Sequence, residues 1–167
     1  MILYLDTSAL VKLYAEEPGT EEVQSAVGRA RAVAVSEVGY VEARSALARK
    51  EREGFFSTEE HDVAVQTLKR DFREVYLARP LTGGVIARAG ELVRQHALRA
   101  YDAIHLATAL ALREEAGELA EQKAAEESPQ EGAELQVLLM TYDSSLTEAA
   151  HKEGLAYESE HPREETN

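Results

Sequence analysis

Four carboxylates stand at positions where an acid can do chemistry. Asp6 ends the first apolar run (ILYLD), Asp143 ends the last strong one (VLLMTYD), and Glu42 and Asp102 sit in helical patterns between them. In a parallel sheet layered with helices, ligands bind beyond the carboxyl ends of the strands, so Asp6 and Asp143 can converge there if their strands are neighbours. Converging carboxylates make a divalent-metal site. Mg2+ takes oxygen ligands at roughly 2.0 to 2.1 Å, usually one or two carboxylates completed by waters and substrate oxygens.

Taken singly, each acid has an ordinary explanation. Asp6 and Asp143 can cap the helices that follow them, Asp102 can be a first-turn acid facing a helix dipole, and Glu42 can be a solvated helix residue. Only the ordered set points to a cation. Thr7, Ser8, Ser36, Thr141 and Ser145 are the candidate donors that would hold such acids in place. His105, three residues after Asp102, can touch substrate or donate to a carboxylate, although AIHLATAL reads more simply as a helix burying one polar residue. Arg44 beside Glu42 and Arg99 before Asp102 are candidate substrate contacts, with Arg49, Lys50 and Arg52 extending a basic rim. His61, His96, His151 and His161 share no metal-binding spacing and read as surface residues. Tyr4, Tyr14, Tyr40 and Tyr101 read as core or interface residues.

The elements that must position these residues alternate. Ile2 to Leu5 is a short buried strand, and Thr7 or Ser8 can cap a helix starting near Ala9. Pro18 and Gly19 mark a loop, Glu21 to Arg31 has helical spacing, and Ala32 to Ser36 (AVAVS) suits a second buried strand. Val38 to Arg52 predicts a helix stopped by Gly54, and Ser57 with Glu60 forms a capping box for another through Phe72, the two making a helical hairpin. Glu74 to Ala78 reads as a third strand, Thr82 to Leu98 and Tyr101 to Glu115 as helices. Gln136 to Tyr142 is the clearest strand, followed by a helix over Ser144 to Lys152 and an edge strand over Leu155 to Glu158. Strands separated by helices imply an α/β sandwich with a mainly parallel sheet.

A chain of 167 residues, 44% apolar, fits one domain, here residues 1–158, with 159–167 a flexible tail. The absence of cysteine suits a cytoplasmic setting, and no apolar run approaches a signal peptide or a membrane span. The net charge of −13 argues against general polyanion binding, but its distribution matters more. Residues 1–112 hold 16 acids and 14 bases, whereas 113–134 hold 8 and 2 and 135–167 hold 7 and 2. The acidity belongs to an insert at about 114–134, whose first half can extend the preceding helix, and to the tail. The main body can still present a basic surface.

LDTSALVKLY, SEVGYVEARSAL, RAYDAIHLATAL and MTYDSSLTEAA, in that order and each carrying its acid, resemble the PIN-domain family, especially the VapC-like toxin ribonucleases of toxin-antitoxin pairs. The resemblance runs from Met1 to about Tyr157, interrupted by the acidic insert. It implies a three-layer α/β/α sandwich with four to five strands. It also implies that Asp6, Glu42, Asp102 and Asp143 form the acidic quartet that holds Mg2+ or Mn2+ for RNA cleavage, leaving a 5′-phosphate and a 3′-hydroxyl. Asp6 and Asp102 are then the strongest ligands, with Glu42 and Asp143 acting directly or through water. A small antitoxin protein and a homodimer are the implied partners. Two rivals stand beside this reading. The first is a PIN-fold binding or assembly module using the acidic arm. The second, a haloacid-dehalogenase-like phosphatase, requires a second acid where this chain has Ser8.

Overall fold

Alternation along the strands divides the core in two. In the computed structural model, which describes residues 1–126 and 135–158, strand β1 (Ile2–Leu5) sends Ile2 and Tyr4 to one face of a sheet and Leu3 and Leu5 to the other, as the two-residue period requires. Strands β2 (Ala32–Ser36), β3 (Leu77–Arg79), β4 (Val137–Met140) and β5 (Ala156–Glu158) complete five parallel strands in the order β3-β2-β1-β4-β5. Helices α1 (Thr7–Leu10), α2 (Thr20–Arg29), α3 (Glu37–Arg52) and α4 (Thr58–Glu74) cover the Leu3 and Leu5 face. The Tyr4 face packs against α5 (Gly83–Gln95), α6 (Ala100–Glu126) and α7 (Ser144–Lys152). The fold is therefore the expected three-layer sandwich.

The central strands are apolar throughout because both faces are covered. Leu3, Tyr4, Leu5 and Leu139 are fully buried, as are Leu47 of α3, Leu68 of α4 and Leu106 of α6. Each such side chain contributes about 1.5 to 3 kcal/mol by leaving water. β1 lies between β2 and β4 in register, with Leu5 opposite Val35 and Met140. That register brings three carboxyl ends to one edge: Asp6 after β1, Ser36 closing β2 and Thr141 after β4.

Several boundaries differ from the sequence reading. Thr7 and Ser8 do not cap α1; Asp6 does, its side chain accepting the Ala9 N–H, and Thr7 is the first helical residue. The third strand is not Glu74 to Ala78, because α4 runs through Glu74 and the N–H groups of Val75 and Tyr76 both reach back to the Asp71 carbonyl. α5 stops at Gln95, three residues short of the expected end, where His96 turns extended. β4 begins at Val137 and ends at Met140, and β5 begins at Ala156. The first half of the acidic stretch does prolong α6, to Glu126; the rest, 127–134, and the tail 159–167 lie outside the described residues. The capping box of Ser57 and Glu60 forms as read.

Gly19 shows how tightly one loop is fixed. Its φ of 91° suits glycine, and a Cβ there would stand 2.6 Å from the Tyr142 hydroxyl oxygen, which instead donates to the Gly19 carbonyl at 3.0 Å. Lys12, almost buried, spans the same loop to the Pro18 carbonyl and Glu17 and lies 4.1 Å from the Tyr142 ring centre. The segment leading to Asp143 is thus held from both sides. Among the described residues no helix is long and apolar enough to cross a membrane.

Candidate active site

At the carboxyl edge of the sheet, β1 and β4 end side by side, and their first loop residues share one set of hydrogen bonds. Asp6, 4% exposed, accepts the Ala9 N–H at 2.9 Å, the Ser8 hydroxyl at 2.8 Å and the Thr141 hydroxyl at 2.7 Å. Thr141 then accepts the Asp143 N–H at 3.1 Å, so one hydroxyl links the two strand-end acids. Ser8 in turn accepts the Tyr142 N–H at 2.8 Å. A carboxylate offers about four acceptor positions, and the Ser8 hydroxyl, 2.9 Å from the second oxygen as well, gives each Asp6 oxygen two contacts. Burial raises the Asp6 pKa above its ordinary value; the His105 imidazole, the Ala9 N–H and the two hydroxyls offset part of that rise.

Glu42 lies on α3 and reaches the same edge. Its Oε2 accepts the Thr7 hydroxyl at 2.8 Å and lies 2.8 Å from His105 Nε2. Burial works against its charge, but the hydrogen bond and charge of His105 and the Thr7 hydroxyl outweigh it, holding the pKa below the usual glutamate value. A carboxylate can only accept, so Nε2 carries the proton that faces it. The other ring nitrogen, Nδ1, lies 3.0 Å from the Tyr4 hydroxyl. His105 is 2% exposed and Tyr4 is fully buried, which drives the phenol pKa far upward. Glu42 is therefore anchored through one oxygen from inside the protein. Its Oε1 has no hydrogen bond among the described residues.

Asp102 occupies the first turn of α6. Its pKa is raised, first by burial and then by the negative charge of Asp143, with Asp6 adding to it; the Arg99 backbone and His105 act in the opposite direction. The three aspartates consequently feel one another. Asp143 caps α7 through Oδ1, which accepts the Leu146 N–H at 2.8 Å, and Oδ2 stays uncommitted among the described residues. No group of three or more His, Asp or Glu side chains among the described residues is drawn together into a ready-made metal cage. The acids share an edge and an electrostatic field.

Of the five expected supporting donors, Thr7, Ser8 and Thr141 bond the acids directly. Ser36 is buried nearby and makes no hydrogen bond among the described residues, and Ser145 is exposed and donates to none of the acids there. Among the expected substrate contacts, Arg44 is turned back to the Tyr40 hydroxyl at 3.1 Å and His105 is engaged at both ring nitrogens. Arg99 is exposed immediately before α6, with no ion pair among the described residues. One further reading changes, since His96 is packed against Glu153 at 2.7 Å with a largely buried side chain; of the core or interface tyrosines, Tyr101 is 54% exposed and so lies outside the core. The sequence reading also missed Tyr4 as the inner support of His105, whose partners lie 63 to 101 residues away and leave no local spacing to find.

Comparison with known proteins converges on one family. A family model described as the PIN domain matches residues 3–152. The chain is similar to Ribonuclease VapC49 of Mycobacterium tuberculosis, 38% identical over 117 residues that cover 66% of this chain and 76% of the relative. Ribonuclease VapC47 of the same species is 35% identical over 118 residues, 68% and 79% of the two chains. Among solved structures, FitAB bound to DNA matches with a TM-score of 0.59 at 17% identity over 95% and 94% of the chains. VapBC2 from Rickettsia felis, bound to a fragment of promoter DNA, matches with a TM-score of 0.56 at 14% identity over 95% and 98%.

Proposed function

The chain belongs to the PIN-domain family, and on that premise we propose that it is a divalent-metal-dependent endoribonuclease, the toxin of a toxin-antitoxin pair. The relatives named Ribonuclease VapC support RNA as the substrate class. The observation that carries the reading is the electrostatic coupling of Asp102 to Asp143 and Asp6 at the carboxyl edge of the sheet, with Glu42 tied to the same edge through His105. A proton or a cation must answer that charge, and the raised pKa values of Asp6 and Asp102 express the demand.

The donor set fits Mg2+ or Mn2+. It is made of oxygen, and Mg2+ binds through one or two carboxylates with waters and phosphate oxygens, so a closed protein cage is not needed. Asp6 and Asp102 would hold the ion directly, and Glu42 and Asp143 directly or through water. Bound there, the ion supplies positive charge to the scissile phosphate and the leaving oxygen and acidifies the attacking water. Thr141, Ser8 and the Ala9 N–H keep the Asp6 carboxylate in one orientation, while Thr7 and His105 do the same for Glu42. Arg99 offers a cation at the rim for the RNA backbone.

The acidic edge also suits an antitoxin arginine, whose guanidinium pairs with carboxylates in bidentate geometry. A homodimer is part of the same reading. The test is cleavage of labelled RNA by purified protein with Mn2+, with calorimetry of Mn2+ binding alongside. Cleavage that yields a 5′-phosphate and disappears in Asp6→Asn and Asp102→Asn supports the assignment. Unchanged cutting by both variants refutes it, and an absence of Mn2+ binding heat removes the metal.

A further inference from the structure

We propose that the cavity beside Glu42 is a subsite for one unpaired nucleotide, with Tyr101 stacking on its base and Arg49 holding its phosphate. This rests on the ribonuclease reading and adds residues that determine how the strand is gripped. An open cavity of about 400 Å3 lies against the outer face of α3, lined by Thr7, Val41, Glu42, Ser45, Arg49 and Tyr101. Val41, Ser45 and Arg49 recur every four residues and so form one row along the helix, beside Glu42 and Ala46. The cavity therefore starts at a proposed metal-site acid and runs about 10 Å along α3 to a guanidinium, given the 1.5 Å rise per residue.

Two exposed side chains wall the cavity beside the acids. Val41 is 67% exposed and Tyr101 54% exposed, and each directly precedes one of the four acids, Glu42 and Asp102. An exposed ring next to a phosphate-cleaving edge matches how proteins bind single strands: bases stack on aromatics while cations track the backbone. The charges complement a phosphate. Of the neighbouring cations on α3, Arg44 is turned onto Tyr40 and Lys50 is bound by Glu17 at 2.6 Å, whereas Arg49 makes no ion pair among the described residues. In a chain of net charge −13, a guanidinium left open beside an acidic centre is placed to attract what the acids repel. Stacking of a single base requires an unpaired nucleotide, which selects single-stranded or loop RNA.

The test combines steady-state cleavage of a short single-stranded RNA by the Mn2+-loaded full chain with fluorescence anisotropy of the same labelled RNA in EDTA. Tyr101→Ala is expected to raise both KM and Kd about tenfold, the effect of losing one base stack, and Tyr101→Phe to restore them. Arg49→Gln should weaken binding and lower the slope of log K against log salt by about 0.7, one phosphate on a single strand. Tyr157→Ala, an exposed tyrosine on β5, should leave KM and Kd unchanged. Wild-type KM and Kd in both Tyr101→Ala and Arg49→Gln would overturn the subsite while leaving the nuclease standing. A wild-type chain that neither binds nor cuts RNA removes the ribonuclease reading and the subsite with it. If the same variants instead lose self-association in light scattering, or binding to an antitoxin, with KM unchanged, the surface is a protein interface and the nucleotide subsite is excluded.

Discussion

Two clusters of partly buried polar side chains sit on the α1 to α4 side of the molecule and at the sheet edge, and they treat their acids differently. In the first, Asp71 of α4 accepts two hydrogen bonds from Arg70 on one oxygen and the Tyr14 hydroxyl on the other, and Tyr14 meets the Tyr76 hydroxyl at 2.5 Å. Both phenols are held in the neutral form, Tyr76 pushed up to about 12 by burial and the Asp71 charge against partial relief from Tyr14 and Arg70. Both oxygens of that carboxylate are engaged. At the sheet edge, the Arg99 backbone and His105 only partly offset the burial and like charge that Asp102 meets, and Glu42 Oε1 and Asp143 Oδ2 make no hydrogen bond among the described residues. A buried acid whose acceptors are all met holds a fold together. Acids that repel one another with acceptors to spare need something from outside.

That contrast can be broken or sharpened by substitution. The largest effect is expected at the acids themselves: Asp102→Asn should lower RNA cleavage by roughly a thousandfold, whereas Asp71→Asn should leave the folded protein cutting at the wild-type rate in the same kinetic assay. Equal losses at the two positions would erase the distinction. Next comes the inner support of Glu42. His105→Gln is expected to reduce cleavage or Mn2+ affinity by about 10- to 100-fold, the usual cost of removing a residue that orients a metal ligand, read by kinetics and calorimetry.

The satisfied cluster should answer in stability instead. Tyr14→Phe strips a donor from Asp71 and an acceptor from the Tyr76 hydroxyl and should cost about 1 to 3 kcal/mol, a fall in Tm of roughly 3 to 10 °C by thermal denaturation, with activity retained. The smallest effects have the opposite sign at the sheet edge. The native Asp102 pKa is raised, so its destabilising charge is absent below the ordinary aspartate range and develops as pH rises through the raised value. Asp102→Asn should therefore raise the Tm of the metal-free protein at pH 7 by about 2 °C, an advantage that vanishes in acid. Glu42 behaves conversely: its lowered pKa stabilises above the ordinary glutamate range and is lost as pH falls through the native value, so Glu42→Gln should flatten the acid limb of a Tm profile.

The acids were legible because strand ends and helix starts announce themselves locally. ILYL and AVAVS are short, apolar runs bounded by polar residues, and they form strands over the residues read. Asp6 and Asp143 follow from where such runs stop. Glu74 to Ala78 misled because its alternation continues a helix end: Asp71 takes the next two N–H groups, and pairing with β2 begins only at Leu77. Thr7 looked like a cap because hydroxyls favour that position, yet Asp6 fills it and frees Thr7 to reach Glu42. His105 was the least readable. Its neighbours in sequence describe an apolar helix face, and only the packing of α1, α3 and α6 around β1 brings Tyr4, Thr7 and Glu42 to its ring.

The hydroxyl bridge between Thr141 and Asp6 joins residues 135 positions apart, across strands that pair only after β4 has been made. A ribosome synthesising this chain therefore releases Asp6, Glu42 and Asp102 well before the segment that completes their edge, and long-range parallel pairing of this kind is slow to form. On the ribonuclease reading, a cell making the protein is spared cleavage of its own messages by the nascent chain. The timing of that strand's arrival, a property of topology alone, sets the earliest moment at which Asp6 can gain its Thr141 contact.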